Sequence, residues 1–249
     1  MCLIVVGWRV HPEYPLVVAA NRDEFYRRPT AFAAFWPDAP DVLGGRDLEA
    51  GGTWLGITRS GRFAAVTNVR EPGAAPGRHS RGELTRAFLA GTDSAADYLA
   101  GIDMAAYSGF NLLVSDGNSL WYASNRGTAP AELAPGIYGL SNHLLDSPWP
   151  KLVSARQRAA GAIATLPGQA ALFSILADDE IVRDDELPAT GLPLEWERLL
   201  SAIFVRSADY GTRASTVVTV GRAGEIDFAE RSFGPGGVPL QSSVISTAV

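Results

Sequence analysis

Apolar residues occupy consecutive positions in two runs at the start of the chain, Cys2 to Val10 and Leu16 to Ala20. The polar stretch His11-Pro12-Glu13-Tyr14-Pro15 separates them. Runs of this kind predict paired strands covered on both faces, and therefore a sheet lying between other layers. Two more pairs have the form of hairpins: Thr53 to Thr58 with Phe63 to Val69 around Ser60-Gly61, and Gly109 to Ser115 with Ser119 to Ser124 around Asp116-Gly117. Towards the other end, Ser215 to Val220 and Glu225 to Arg231 flank Gly221-Arg222-Ala223-Gly224 in the same way. Hairpins imply antiparallel pairing.

Helical periodicity occupies the stretches between. Ser80 followed by Glu83 has the capping-box pattern and opens a helix that buries Leu84, Ala87 and Phe88 and ends near Gly91. A second helix starts at Pro150, sets Leu152, Ala155, Ala159, Ile163 and Leu166 on one face opposite Arg156 and Arg158, and stops at Pro167-Gly168. A third, Leu194 to Phe204, turns Trp196, Leu199, Leu200 and Ile203 inward. Doubly covered antiparallel strands with a block of helices predict an α+β fold with helices outside two sheets. No long polar linker divides the 249 residues, so one domain over 1–249 is expected. Glu71 to Gly77 and the tail from Gly234-Pro235-Gly236-Gly237 onward read as mobile loops.

Charge narrows the choice of partner. A net charge of -6, with 19% charged residues and no basic run, gives no electrostatic footprint for nucleic acid or an anionic membrane. The apolar start is too short for a secretory signal, and no later stretch approaches a bilayer span. The expected protein is cytoplasmic, without an integral membrane segment. His11, His79 and His143 lack ligand spacing and a lone cysteine makes no thiolate zinc site, so neither a metal nor another cofactor is expected. Gly51-Gly52 has no Lys-Ser/Thr behind it and enters a strand, which makes it a turn and not a phosphate loop.

The candidate chemistry starts at Cys2, the only cysteine. Cysteine is small enough at the second position for Met1 to be excised, which would leave a thiol and a free α-amine on one carbon. Such an amine titrates near 7.7–8.0, close enough to a thiol to serve as its base. Asn21-Arg22-Asp23-Glu24 follow directly where the second buried strand emerges, and the hairpin returns them beside the chain's start. There an acid would orient the amine, and a guanidinium would lower the thiol pKa or bind an anionic substrate group.

Cys2, the run Ala20-Asn21-Arg22-Asp23-Glu24-Phe25-Tyr26 and the segment Gly51-Gly52-Thr53-Trp54-Leu55-Gly56 resemble the NRDE-motif family, also called the transport and Golgi organisation protein 2 family. Arg81-Gly82-Glu83-Leu84, Tyr138-Gly139-Leu140-Ser141-Asn142, Tyr210-Gly211-Thr212-Arg213 and Glu230-Arg231-Ser232 extend the resemblance over nearly the whole chain. The family is similar to N-terminal-nucleophile hydrolases, which implies a four-layer αββα sandwich. By that resemblance Cys2 matches the nucleophile, Arg22 an arginine beside the thiol, and either Asp23 or Glu24 the acidic partner. Asn68 and Asn142 match asparagines that support the oxyanion or bind substrate, and Arg213 a second arginine of the site. Asn21, Glu24 and Trp54 are expected to contact substrate. Two functions follow as expectations. One is hydrolysis of a small-molecule amide through a Cys2 thioester. The other is non-catalytic binding or trafficking of haem or an acyl-coenzyme A or lipid-type ligand, the classes associated with the family.

Overall fold

The computed structural model describes residues 2–247. In chain order the strands are β1 (Cys2–Trp8), β2 (Leu16–Phe25), β3 (Thr30–Trp36), β4 (Ala39–Asp47), β5 (Leu55–Thr58), β6 (Phe63–Asn68), β7 (Phe110–Ser115), β8 (Leu120–Ser124), β9 (Ala131–Glu132), β10 (Gly136–Leu140), β11 (Tyr210–Val220), β12 (Ile226–Gly234) and β13 (Val238–Thr247). The helices are α1 (Arg81–Ala90), α2 (Ala95–Ala100), α3 (Pro150–Ile163), α4 (Ala170–Leu176) and α5 (Leu194–Leu199). The strands form two antiparallel sheets, one in the order β10-β1-β2-β11-β12-β13 and the other β3-β4-β5-β6-β7-β8-β9.

The period of two along the strands explains the layers. Ile4, Val6 and Trp8 of β1 and Val18 and Ala20 of β2 face the second sheet, where Leu55, Ile57, Phe63, Ala65 and Leu113 meet them. The intervening Leu3, Val5, Val17 and Ala19 face the opposite way, onto Leu152, Ala155 and Ala159 of α3 and Leu172 and Leu176 of α4. Ala64, Val66, Leu112 and Val114 of the second sheet likewise turn outward onto Leu84 and Phe88 of α1 and Leu99 of α2. Both sheets are thus apolar on both faces, the cause of the unbroken apolar runs. The order of layers is helix, sheet, sheet, helix. Among the described residues no helix is long and apolar enough to cross a membrane.

Several elements depart from the sequence reading. β2 does not end at Ala20 but continues through Phe25, because β11 pairs with it from Val220↔Leu16 to Tyr210↔Phe25. Asn21-Arg22-Asp23-Glu24 is therefore strand, with its side chains divided between the two faces. β3 and β4 were hidden because register shifts interrupt their alternation and β3 is a half-exposed edge. The tail is not a loop: β13 pairs with β12 through the main chain, an edge strand whose Ser-rich, largely exposed sequence shows no apolar face. Ala248 and Val249 lie outside the described residues. Ser80 makes no side-chain cap to α1, and the Glu83 carboxylate turns to His79, 3.3 Å from Nδ1, so neither half of the capping box forms. The third helix is only Leu194–Leu199, and its buried residue is the charged Glu197.

Candidate active site

β1 and β2 run antiparallel with Cys2 opposite Arg22, so the hairpin alone brings thiol and guanidinium together. The same alternation that points Ala20 between the sheets sends Arg22 there too. The Arg22 side chain is 8% exposed and its Nη2 lies 3.9 Å from Asp47 Oδ2 and 4.0 Å from Glu24 Oε2. Its Nη1 donates to Thr30 Oγ1 at 3.3 Å. Cys2, Arg22, Glu24, Trp54, Asn68 and Arg213 all line one cleft of about 440 Å³ that opens between the sheets. Phe32, Phe233 and Leu240 give it an apolar side.

Asn142 joins Cys2 to Asn68. Its Oδ1 accepts from the Cys2 nitrogen at 3.4 Å, while its Nδ2 donates to Asn68 Oδ1 at 2.9 Å and to the Asn68 carbonyl at 3.1 Å. The Cys2 nitrogen is the atom that excision of Met1 would convert to an α-amine; Met1 lies outside the described residues. Ser141 Oγ donates to the Cys2 carbonyl at 2.9 Å, fixing the strand end. With Asn68 Oδ1 engaged by Asn142, the Asn68 amide presents its Nδ2 donors for a ligand.

Arg213 reaches the cleft because it is the extra residue of a β-bulge between Thr212 and Ala214, and a bulge re-aims its side chain. Its Nη1 also donates to the carbonyls of Phe25, Tyr26 and Arg28 at 3.1, 3.2 and 2.7 Å, pinning the turn after β2. Trp54 is placed by Gly51-Gly52, a turn with Gly51 at φ +75°. A Cβ on Gly52 would lie 2.3 Å from the Gly82 carbonyl of α1. Only glycine lets that loop sit on the first turn of the helix.

The two acids differ in burial. Glu24 points to the cleft and caps Phe25 N at 2.8 Å. Asp23 borders the cleft as well but is buried, accepting from Thr212 Oγ1 at 2.8 Å on the neighbouring strand, and its charge acts on Cys2. Of the two acids, Asp23 is the one whose charge acts on the Cys2 thiol. Burial raises the Asp23 pKa, opposed first by the N-terminal amine and then by Lys151, the Thr212 hydroxyl and Arg22. Asn21, expected at the substrate, is on the helix face. Its Nδ2 donates to the Leu176 and Ile203 carbonyls at 2.8 and 2.9 Å and its Oδ1 accepts from Ser215 at 2.6 Å, so it ties the helical layer to the sheet.

The thiol differs from the sequence expectation. Burial pushes its pKa up and the Asp23 charge adds to this; the N-terminal amine, Arg22 and the Asp23 backbone N–H pull it down without reversing the direction. The thiol therefore rests in its protonated form near pH 7. Alkylation of Cys2 by iodoacetamide is expected to run slower than that of a cysteine peptide at neutral pH, with a pH midpoint above the peptide's. Arg22→Ala should move the midpoint further up. A midpoint below the peptide's would show that the cation, not burial, governs the thiol.

Sequence reasoning missed four charged residues of this region. Glu230 is buried at the cleft, accepting from Ala33 N at 3.1 Å and Thr216 Oγ1 at 3.0 Å. Arg70 and Glu197 form a buried pair at 2.6 Å, with the Arg70 guanidinium 4.7 Å over Trp149 and its backbone N–H donating to the Asn142 carbonyl at 2.8 Å. Lys151 is buried in the first turn of α3, its Nζ donating to the Leu200 carbonyl at 2.7 Å. Its signal was in plain view, as the only lysine in the chain.

Comparison with known proteins agrees with this geometry. Residues 1–235 match the family described as Transport and Golgi organisation 2. The chain is 40% identical over 259 residues to the Transport and Golgi organization protein 2 homolog of Bos taurus, covering 94% of this chain and 93% of that protein. To the Homo sapiens homolog it is 37% identical over 260 residues, with the same coverage of 94% and 93%. Among solved structures it is similar to a mutant conjugated bile acid hydrolase from Clostridium perfringens, with TM-score 0.52 and 10% identity over 99% of this chain and 92% of that one. It is also similar to the Caenorhabditis elegans ortholog of N-acylethanolamine-hydrolyzing acid amidase, with TM-score 0.55 and 13% identity over 87% of this chain and 92% of that one. At those identities the likeness establishes the fold, that of the N-terminal-nucleophile hydrolases.

Proposed function

The chain belongs to the Transport and Golgi organisation 2 family, and from that premise we propose that it is a cysteine N-terminal-nucleophile hydrolase cleaving the carbon–nitrogen bond of a small-molecule amide. The observation that carries the reading is the setting of Cys2. Its nitrogen is held by Asn142, Arg22 stands opposite it in the strand register, and both residues line a cleft whose 440 Å³ lies in the range of small-ligand sites.

The chemistry follows from the groups present. With Met1 removed, the α-amine takes the proton of the neutral thiol as sulfur attacks the amide carbonyl. The carbon–sulfur bond forms, and negative charge gathers on the carbonyl oxygen. Asn68 Nδ2, fixed by Asn142, is suited to stabilise that charge without transferring a proton. Collapse breaks the carbon–nitrogen bond, and the ammonium returns its proton to the departing amine. Water, deprotonated by the same α-amine, then cleaves the thioester and restores the thiol. The apolar side formed by Phe32, Phe233 and Leu240 suits an acyl group. The test is turnover of a panel of N-acyl amides of varied acyl length and amine. Hydrolysis dependent on Cys2 supports the proposal; binding without turnover by any panel member would make this a ligand-carrying relative of the hydrolases.

A further inference from the structure

Arg22, Arg28, Arg46, Arg78, Arg81 and Arg213 all line the cleft, in a chain whose net charge is -6. Four of them have carboxylates beside them. Arg28 pairs with Asp47 at 2.7 Å, Arg46 with Asp38 at 2.5 Å and Arg78 with Asp103 at 2.8 Å, while Arg22 lies within 4.0 Å of Glu24 and Asp47. Arg81 and Arg213 differ. Among the described residues they pair with no carboxylate and hydrogen-bond through Nη1 alone, Arg81 to the Gly109 carbonyl at 3.2 Å and Arg213 to the three carbonyls after β2. Both are half-buried. That leaves Nε and Nη2 of each without a protein acceptor, and this edge of a guanidinium matches two oxygens of a carboxylate or phosphate.

Only Arg81 is fixed beside the reacting groups. The Gly109 carbonyl that holds it also accepts the backbone N–H of Val69 at 2.9 Å, so the Arg81 guanidinium sits against the residue that follows Asn68. Glu71, whose carboxylate lies against Gly109, is taken by Arg126 and leaves Arg81 unneutralised. The apolar side of the cleft lies elsewhere. Phe32 is on β3, which β4 and β5 separate from β6 and Asn68, a gap of three strand spacings or about 14 Å. With the reacting carbonyl at Cys2 and Asn68, an acyl group extended towards Phe32 leaves the amine portion of the amide beside Arg81. We propose that Arg81 binds an anionic group, a carboxylate or a phosphate, on the amine portion of the substrate, and so sets a preference for charged over neutral amides. The substrate class rests on the hydrolase reading, but the contact itself is measurable by binding alone.

Three ligands sharing one acyl chain test this: N-octanoylglycine, its uncharged carboxamide N-octanoylglycinamide, and N-octanoyl-phosphoethanolamine. Affinities are read by calorimetry in Cys2→Ala protein, where turnover does not intervene. The carboxylate or the phosphate ligand should bind about 10–100-fold more tightly than the carboxamide, the scale of a charge-assisted bidentate contact, and the tighter of the two identifies the anion. Arg81→Gln in the same background should bring that ratio to within about twofold. Arg81→Lys keeps a charge without the fork and should lose most of the ratio too, which decides the matter should the glutamine variant fail to fold. Equal affinity for charged and uncharged ligands with Arg81 in place, or a ratio that survives Arg81→Gln, would overturn the proposal. A ratio lost only in Arg213→Gln would put the anion on the other arginine and overturn it equally. Preference in binding with no turnover by protein that keeps Cys2 would sink the hydrolase reading alone, so the two failures are distinguishable.

Discussion

Cys2→Ala is expected to abolish amide hydrolysis, reducing kcat by about 10⁴–10⁶-fold, the scale on which losing a covalent nucleophile acts. The same change should alter unfolding free energy by less than about 1 kcal/mol, because it removes one sulfur from a strand end that main-chain pairing and the Ser141 and Asn142 contacts still hold. Binding of a substrate-like amide should survive, since a thiol that acts by covalent attack adds little to ground-state affinity. Large activity loss with small stability loss separates a reacting group from a packing group. Equal retention of turnover in Cys2→Ala would remove the nucleophile from the account.

The reverse pattern is expected at Glu197. Its carboxylate takes the 2.6 Å bond from Arg70 and accepts from Thr190 N at 3.0 Å and from the Thr190 hydroxyl, with the two charged side chains 3% and 6% exposed. Glu197→Ala leaves Arg70 as a buried, unpaired cation beneath Trp149, which should cost about 3–5 kcal/mol of stability. At roughly 2–4 °C per kcal/mol for a chain of this length, Tm should fall by about 10 °C. The double change Arg70→Met with Glu197→Leu should restore most of the loss, because desolvating two charges offsets much of what their attraction returns. Denaturant melts check both. A single-variant loss under about 1 kcal/mol would mean that the pair is hydrated in solution.

The difference between the elements the sequence revealed and those it hid has a physical basis. β1, β5, β6, β7 and β8 were legible because strands covered on both faces show continuous apolar runs, and α3 because its buried positions keep helical spacing over four turns. β3 and β13 were not, since an edge strand is held by main-chain bonds to a single neighbour and leaves its side chains unconstrained. The site divided in the same manner. Cys2 and Arg22 could be paired from a hairpin alone. Arg213 needed the bulge that aims it, and Asp23 could be told from Glu24 only once β2 was known to continue past Ala20, since pairing with β11 sets Asp23 against Thr212. Lys151 and Glu197 lie on helices whose partners are distant in sequence, and a charge on a helix reads as solvent-facing until the packing is seen.

The central claim is that Cys2 works as an N-terminal residue, and the intact mass of protein purified from cells and quenched during incubation with a hydrolysable amide tests it most directly. The account predicts the mass of a chain lacking Met1, together with a fraction heavier by the acyl group and mapped by peptide sequencing to Cys2. Full retention of Met1 in protein that turns over the amide would contradict it, because an acylated α-nitrogen cannot serve as the base.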